Sequence, residues 1–142
     1  MSQSLEQAFR RTKYVVPLPN EHTAIVEIGR RHPDLDAWVA DYELSTWCFI
    51  TAWNPGAVQR ERRENARANV SLYTAIQADG HPTVSATARP DAADWPNEPG
   101  FVVLGLSAEQ ALAYAREFGQ RAVVFAETGA EAKLLWVDGK ND

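Results

Sequence analysis

The residues of this sequence whose types could support chemistry are mainly uncharged amides. The run Trp53-Asn54-Pro55-Gly56 follows an apolar stretch and places an amide beside an indole at a turn. An amide there can give a ligand both a donor and an acceptor. The alternative is an Asx turn, in which the Asn54 side chain binds the backbone that follows it. Because Asn54 precedes a proline, we expect an extended backbone at this residue.

Two more asparagines lie on the longest predicted helix, 58–77. Asn65 and Asn69 are one helical turn apart and share a face with Leu72 and Ile76. Asn is a poor helix former, so two of them on an apolar stripe require a reason. Either both amides point into a polar pocket at the end of the preceding strand, or they bind a neighbouring loop or solvent. Buried amides must find partners in either case.

Two further polar side chains follow or precede predicted elements. Glu98 lies in a predicted loop, 89–100, three residues after Trp95, so an indole and a carboxylate could form a stacking wall with an acceptor. A Trp in such a loop also commonly pins the loop to the core. Gln120 follows Gly119, which we expect to end a helix with a positive φ. Gln120 then either holds a loop or reaches a ligand.

The sequence predicts no catalytic residue, no metal site and no cofactor. The three histidines are far apart and fit no metal-ligand spacing. Cys48 lies inside an apolar strand and is interpreted as an inert core thiol. No glycine-rich phosphate loop follows a strand. Asp91 and Asp94 could act as a carboxylate pair, but aspartates in loops usually form turns.

One local cluster of basic residues lies at the start of the long helix. It consists of Arg60, Arg62, Arg63 and Arg67, with two glutamates interleaved. The alternating charges indicate a solvated helix face. Phosphate recognition would require two or three of these side chains to converge on one point.

The bulk composition is that of an ordinary globular chain. The 142 residues are 45% hydrophobic and 23% charged, with a net charge of -5 and a pI near 5.2. This acidic balance argues against general binding to nucleic acid. The amino terminus lacks the apolar core of a signal peptide, and no apolar run approaches the ~20 residues of a membrane span. With one cysteine and no internal disulfide, we expect a cytoplasmic protein that does not enter a membrane.

The elements that must position these residues form one mixed pattern of helices and strands. An N-terminal helix is predicted within 1–13, and the other predicted helices begin at Pro33, Val58 and Ser107. Strand candidates are 23–28, 46–53, 83–88, 101–106, 121–126 and 133–137. The stretch 46–53 is almost continuously apolar, which predicts burial on both faces and a central position.

These elements predict one globular domain, 1–142, with a frayed tail at 138–142. The fold class is α+β, or mixed α/β, with a single central sheet. We expect the sheet to be mostly antiparallel or mixed, with about five strands and three to four helices packed on it.

A set of motifs in a fixed order resembles a known bacterial family. These are Phe49 to Pro55 (FITAWNP), Glu64-Asn65 with Asn69, Trp95 with Glu98, Leu106-Ser107, and Phe118-Gly119-Gln120 with Ala122. The pattern is similar to domain-of-unknown-function family 3293, from about Thr46 to Phe125. The resemblance implies no activity, but it does imply recurring positions: Thr51, Trp53, Asn54, Asn65, Asn69, Glu98 and Gln120. The family's Trp-Pro-Glu-Glu-Ser-like run is Trp95-Pro96-Asn97-Glu98-Pro99 here, so one acidic residue and the serine are missing.

We therefore expect an uncharacterised small-ligand or peptide-binding module with a polar site at the end of the central strand. The hypothetical ligand-binding residues are Thr51, Trp53, Asn54, Asn65, Asn69, Trp95, Glu98 and Gln120. This hypothesis requires Asn54, Asn65 and Gln120 to converge in space.

Three alternatives remain open. The chain could be a protein-interaction domain with no pocket that uses the arginine-rich helix face. It could be a small enzyme with Glu98 as general acid or base, although the sequence favours binding over catalysis. Finally, the polar residues could serve only to hold the fold. A small molecule or another protein is the expected kind of partner.

Overall fold

The computed structural model describes residues 4–91 and 95–139, and within them four α-helices and seven strands. The helices are α1 (Leu5–Arg11), α2 (Pro33–Ala40), α3 (Arg62–Ala78) and α4 (Ala108–Glu117). The strands are β1 (Lys13–Pro17), β2 (Thr23–Val26), β3 (Thr46–Ile50), β4 (Thr83–Arg89), β5 (Glu98–Leu104), β6 (Ala122–Glu127) and β7 (Lys133–Trp136). A short 3-10 turn, Pro55–Ala57, follows β3.

The strands form one sheet in the order β2-β1-β4-β5-β3-β6-β7. Every pairing between neighbours is antiparallel. The predicted α+β class and the mostly antiparallel sheet are confirmed. The predicted number of about five strands is wrong, since the sheet has seven. β3 lies between β5 and β6 with four of its five residues buried, as its continuous apolar sequence predicts.

Each face of the sheet carries its own hydrophobic core. On one face, Trp47 and Phe49 of β3 pack with Leu35 and Val39 of α2. On the other, the alternate β3 residues pack with α3 and α4, in a cluster that includes Cys48, Ile50, Leu72, Ile76, Ala111 and Ala115. Helices therefore cover both faces, and this explains why β3 has no polar side.

The strand β1 is the main element that the sequence did not predict. Tyr14 and Val16 are buried in it, whereas Lys13 and Pro17 are exposed, in regular alternation. No strand was predicted for 13–17, a segment that ends in Pro17. A proline at the end of a strand does not interrupt the hydrogen bonds before it, so Lys13 to Val16 pair normally. β1 pairs with β2 and with β4, and places Tyr14 in the core.

Three boundaries near the candidate site also differ from the prediction. β3 ends at Ile50 rather than at 53, and α3 begins at Arg62 rather than at 58. β5 begins at Glu98 rather than at 101, so Glu98 lies on a strand opposite Ala88 and not in a loop. Backbone pairing with β4 overrides the loop-like composition of this segment.

The structure confirms the sequence signals that predicted the start and the end of α4. Ser107 forms a capping box with Gln110 at the start of α4, and Gly119 follows α4 with a φ of +74°. The N-terminal helix is shorter than 1–13 because β1 begins at Lys13. Most of the predicted frayed tail, 138–142, lies outside the described residues.

Candidate functional site

The candidate site lies at one end of the sheet, where β3 ends and β5 and β6 begin. Because β3 is antiparallel to both neighbours, its last residues lie beside the first residues of each neighbour. Ile50, for example, is opposite Phe101. The turn after β3 therefore meets Glu98 and Gln120 at the same end of the sheet, which we call the β3 end.

Asn54 is the centre of a buried polar cluster at the β3 end. Its side-chain Oδ1 accepts from the backbone N–H of Arg60, at 2.9 Å, and from Nδ2 of Asn65, at 2.7 Å. Its Nδ2 donates to Oε2 of Glu98, at 3.0 Å. The predicted extended backbone is wrong, because Asn54 is left-handed, with φ 48° and ψ 64°. Asn tolerates this region better than most residues, and three tertiary partners hold it there.

Asn65 binds Asn54 reciprocally from the first turns of α3. Its Oδ1 accepts from the backbone N–H of Asn54, at 2.8 Å, while its Nδ2 donates to Oδ1 of Asn54 and, at 3.4 Å, to the carbonyl of Arg60. The side chain is 2% exposed. Asn65 is a poor helix former, but it is tolerated here because its side-chain amide hydrogen-bonds backbone groups of the turn that follows β3.

Asn69 ties α3 to the ends of β3 and β5. Its Oδ1 accepts from the backbone N–H of Ala52, at 2.8 Å, and from the hydroxyl of Thr51, at 3.3 Å. Its Nδ2 donates to the carbonyl of Pro99, at 3.0 Å. Thr51 also donates to that carbonyl, at 2.7 Å, and accepts from the N–H of Trp53. These bonds replace the ladder bonds that are lost where β3 ends.

Glu98 is a partly buried carboxylate held by two donors. Its Oε2 accepts from Nε1 of Trp95, at 2.7 Å, and from Nδ2 of Asn54, at 3.0 Å. Burial raises the pKa of Glu98, and these two hydrogen bonds offset part of the rise. Burial, with a smaller contribution from the charge of Glu98, raises the pKa of Tyr14 far above its ordinary value. The two groups are therefore electrostatic neighbours.

Gln120 approaches the same turn from the end of α4. Its Nε2 donates to the carbonyl of Trp53, at 3.2 Å. The preceding residue, Gly119, accepts from the N–H of Gly56, at 2.7 Å. A Cβ at position 119 would lie 2.9 Å from Cβ of Pro55, so both the positive φ and the close packing require glycine. The α4 end and the β3 turn are thus joined by backbone and side chain.

The predicted convergence of Asn54, Asn65 and Gln120 is therefore observed. The amides are nevertheless largely occupied by one another and by backbone groups. Both lone pairs of the Asn54 oxygen are used, and Asn65 and Asn69 each bind backbone groups with both their oxygen and their nitrogen. In contrast, Oε1 of Glu98 has no hydrogen-bond partner among the residues that the structure describes.

A cavity of about 280 Å³ opens beside this cluster. It lies between α1 and the β3 end of the sheet. Its walls are mainly apolar, with Glu98 and Asn54 among the few polar groups. The lining residues are Leu5, Ala8, Phe9, Thr12, Tyr14, Phe49, Ile50, Thr51, Asn54, Ala57, Ala88, Pro90, Asp91, Trp95, Glu98, Gln120, Arg121, Ala122, Val123 and Val124.

Only part of the predicted residue set faces this cavity. The lining includes Thr51, Asn54, Trp95, Glu98 and Gln120. It does not include Trp53, Asn65 or Asn69, which lie behind the wall or in the turn. Whether any of the eight residues binds a ligand is still a prediction.

Most residues of the cavity wall were not predicted to be site residues from the sequence. α1 contributes Leu5, Ala8 and Phe9, which the sequence did not assign to a site. Tyr14 was missed because β1 was not predicted as a strand. The alternation of Tyr14 and Val16 is the signal that could have identified both the strand and this wall.

Several other features contribute no reactive group to the cavity. Burial raises the pKa of the Cys48 thiol to about 12, so it stays protonated in the core, as predicted. Among the described residues, no group of three or more metal-binding side chains is close enough to hold an ion. Asp91 is an exposed residue of the cavity rim, whereas its predicted partner Asp94 lies outside the described residues.

The arginine-rich start of α3 is exposed and separate from the cavity lining. In the part of the chain that the structure describes, the ion pair of this cluster joins Arg60 to Glu64, at 3.9 Å. Further along the helix, Val70 and Tyr73 are exposed and one turn apart. These two apolar side chains are the feature of α3 that an interaction surface would use.

Each helix in the described ranges is too short or too polar to cross a bilayer.

The family model described as "Protein of unknown function (DUF3293)" matches residues 50–123, slightly more than half of the chain. The match spans the β3 turn, α3, Glu98 and Gln120, so the recognised resemblance is confirmed. No curated protein and no solved structure matches the chain. The chain belongs to the DUF3293 family.

Proposed function

We propose that this member of the DUF3293 family binds a small molecule in the cavity between α1 and the β3 end of the sheet. The observation that carries the proposal is a largely apolar cavity of about 280 Å³ with the carboxylate of Glu98 in its wall. Small-molecule sites are typically concave and mostly apolar, with a few fixed polar groups and a volume of about 300–1,000 Å³. This cavity suits a compact ligand at the lower end of that range.

The proposal divides the predicted residues into two roles. Asn65 and Asn69 hold the turn and the strand end, and do not touch the ligand. Asn54 orients the Glu98 carboxylate by a hydrogen bond and lines the cavity itself. Trp95 provides an aromatic ring in the cavity wall. Their rigid hydrogen bonding favours binding because the polar group is oriented before the ligand arrives.

The same proposal places the protein in the cytoplasm as one globular domain over 1–142. Its support is compositional, because Cys48 is the only cysteine and is buried as a thiol. The partner is a small molecule rather than a nucleic acid, since the chain carries a net charge of -5.

A thermal-shift screen against a metabolite library tests the binding proposal. Ala8 is an exposed residue of α1 that lines the cavity, so Ala8→Trp would occlude it without disturbing the core. A true ligand at 100 times its Kd stabilises the wild type by about 2.7 kcal/mol. We expect Ala8→Trp to lose this shift and the matched control Ala8→Ser to keep it. Hits that stabilise all three proteins equally would place the site elsewhere.

A second candidate function is acid–base catalysis by Glu98. The observation that favours it is a carboxyl with a raised pKa in the wall of a cavity, which is the usual setting of a general acid or base. Hits from the screen would be incubated with the protein and followed by mass spectrometry. Conversion that falls about 100-fold or more in Glu98→Gln supports catalysis. Conversion that is unchanged in this variant, or no conversion of any bound hit, rejects it.

A further inference from the structure

We infer that the cavity selects a ligand that carries a protonated amine on an apolar body. This inference rests on the proposed function, since it specifies the chemistry of the molecule that occupies the cavity. Three observations support it: an oxygen of Glu98 that no described residue binds, the lack of an ion pair between this carboxylate and any described cation, and the aromatic composition of the walls.

The geometry of Glu98 leaves one acceptor for the ligand. Oε2 already accepts from Trp95 and Asn54, which fixes the plane of the carboxylate. Oε1 has no partner among the described residues, on a side chain that lines the cavity. A carboxylate oxygen held in this way accepts a hydrogen bond most strongly from a charged N–H donor.

No cation of the described chain neutralises Glu98. The four ion pairs within the described ranges involve other carboxylates. Among the described residues of the cavity lining, the one basic side chain is that of Arg121, which is exposed and takes part in none of these four ion pairs. The lining carries a second carboxylate, Asp91. A partly buried carboxylate without a counterion is unfavourable, so a bound cation removes an existing penalty.

Four aromatic residues line the same cavity: Phe9, Tyr14, Phe49 and Trp95. The rings of Tyr14 and Phe49 are 4.8 Å apart and tilted by 52°, so they form a continuous aromatic wall. Aromatic faces attract alkylammonium groups and also pack against apolar ligand bodies. The walls and the carboxylate therefore favour the same class of molecule, an amine attached to an apolar group.

Isothermal titration calorimetry with three probes that share a phenylalkyl body tests the inference. The probes are phenethylamine, the neutral 2-phenylethanol and the anionic 3-phenylpropanoate, all at pH 7.5. We expect phenethylamine to bind wild-type protein at least about tenfold more tightly than either of the others. Glu98→Gln, which is nearly isosteric, should remove this preference. Glu131→Gln, which changes the net charge equally at an exposed residue outside the cavity lining, should retain it.

The outcomes separate this inference from the proposed function. If the alcohol or the anion binds as tightly as the amine, and Ala8→Trp abolishes that binding, the cavity is a ligand site but the inference is overturned. If none of the probes binds, both are rejected for ligands of this size. Because the comparison of probes needs only the wild type, the test holds even if Glu98→Gln fails to fold.

Discussion

Asn54, Asn65 and Asn69 use most of their hydrogen-bonding capacity inside the protein. The sequence indicated that these three amides need partners and that two of them share a helix face with core residues. It could not indicate which partners they find, because the bonds join positions 5 to 44 residues apart. Their hydrogen bonds join the turn, α3 and β5, and whether Asn54 also binds a ligand is still a prediction.

Asn65→Ala should lower the free energy of unfolding by about 2–3 kcal/mol, since it leaves the buried N–H of Asn54 without an acceptor. Asn97→Ala, at an exposed position just before β5, should change the free energy of unfolding by less than about 0.5 kcal/mol. Urea denaturation of both variants checks the difference. Equal effects would mean that Asn65 does not hold the turn.

Glu98 should make stability depend on pH in a defined direction. Its pKa is raised above the ordinary value of 4.5 in the folded state, so the folded protein keeps this proton to a higher pH than the unfolded chain. The resulting stabilisation is complete below pH 4.5 and is lost as the pH rises through the raised pKa. We therefore expect wild type to lose stability relative to Glu98→Gln as the pH rises from 4.5 through the raised pKa of Glu98. A difference that is constant or that grows in favour of the wild type would contradict this assignment.

At the scale of elements, periodic segments were predicted well and their ends were not. The helices 33–40, 62–78 and 108–117 and the strand β3 follow from apolar spacing and caps. β1 and the start of β5 were missed because Pro17 and Pro99 resemble loop residues in isolation. Both pair with β4, and the start of β5 carries no local signal of that pairing, whereas β1 carries only the short alternation of Tyr14 and Val16.

Gly100 shows how closely β5 packs on β3. A Cβ at this position would lie 2.6 Å from Cζ of Phe49 and 2.9 Å from the carbonyl oxygen of Ile50. Gly100→Ala must therefore displace the Phe49 ring, which lines the cavity, and should lower the free energy of unfolding by about 1–3 kcal/mol. Ser85→Ala, at an exposed site on the adjacent strand, is the control. An unchanged melting temperature for Gly100→Ala would show that Phe49 can move freely.

At the scale of the whole molecule, the strand order decides where the site lies. Chain positions near 14, 50, 88, 98 and 120 meet at one end of the sheet only because β4, β5, β3 and β6 are neighbours. A single sequence does not specify this order. The rule that ligands bind outside the carboxyl ends of strands applies to parallel sheets. Here the site combines the ends of β3 and β4 with the starts of β1, β5 and β6.

Native-state hydrogen exchange should reflect this architecture. β3 is buried between two strands and two layers of helices, whereas α1 contributes no buried residue. We expect the amides of Cys48 and Phe49 to exchange only on global unfolding, and those of α1 on the order of a hundredfold faster or more. NMR on the wild type measures both. Equal protection of α1 and β3 would contradict this prediction.

The left-handed backbone of Asn54 also has a consequence for the order of folding. Its partners are Asn65 of α3, Glu98 of β5 and the backbone N–H of Arg60, and its local sequence favours a different conformation. The turn can therefore adopt its final shape only after both elements have docked, late on the folding pathway. Substitutions at Asn54 should speed unfolding while leaving the folding rate almost unchanged. The turn that shapes the candidate site then forms later than the helix and the strand that hold it.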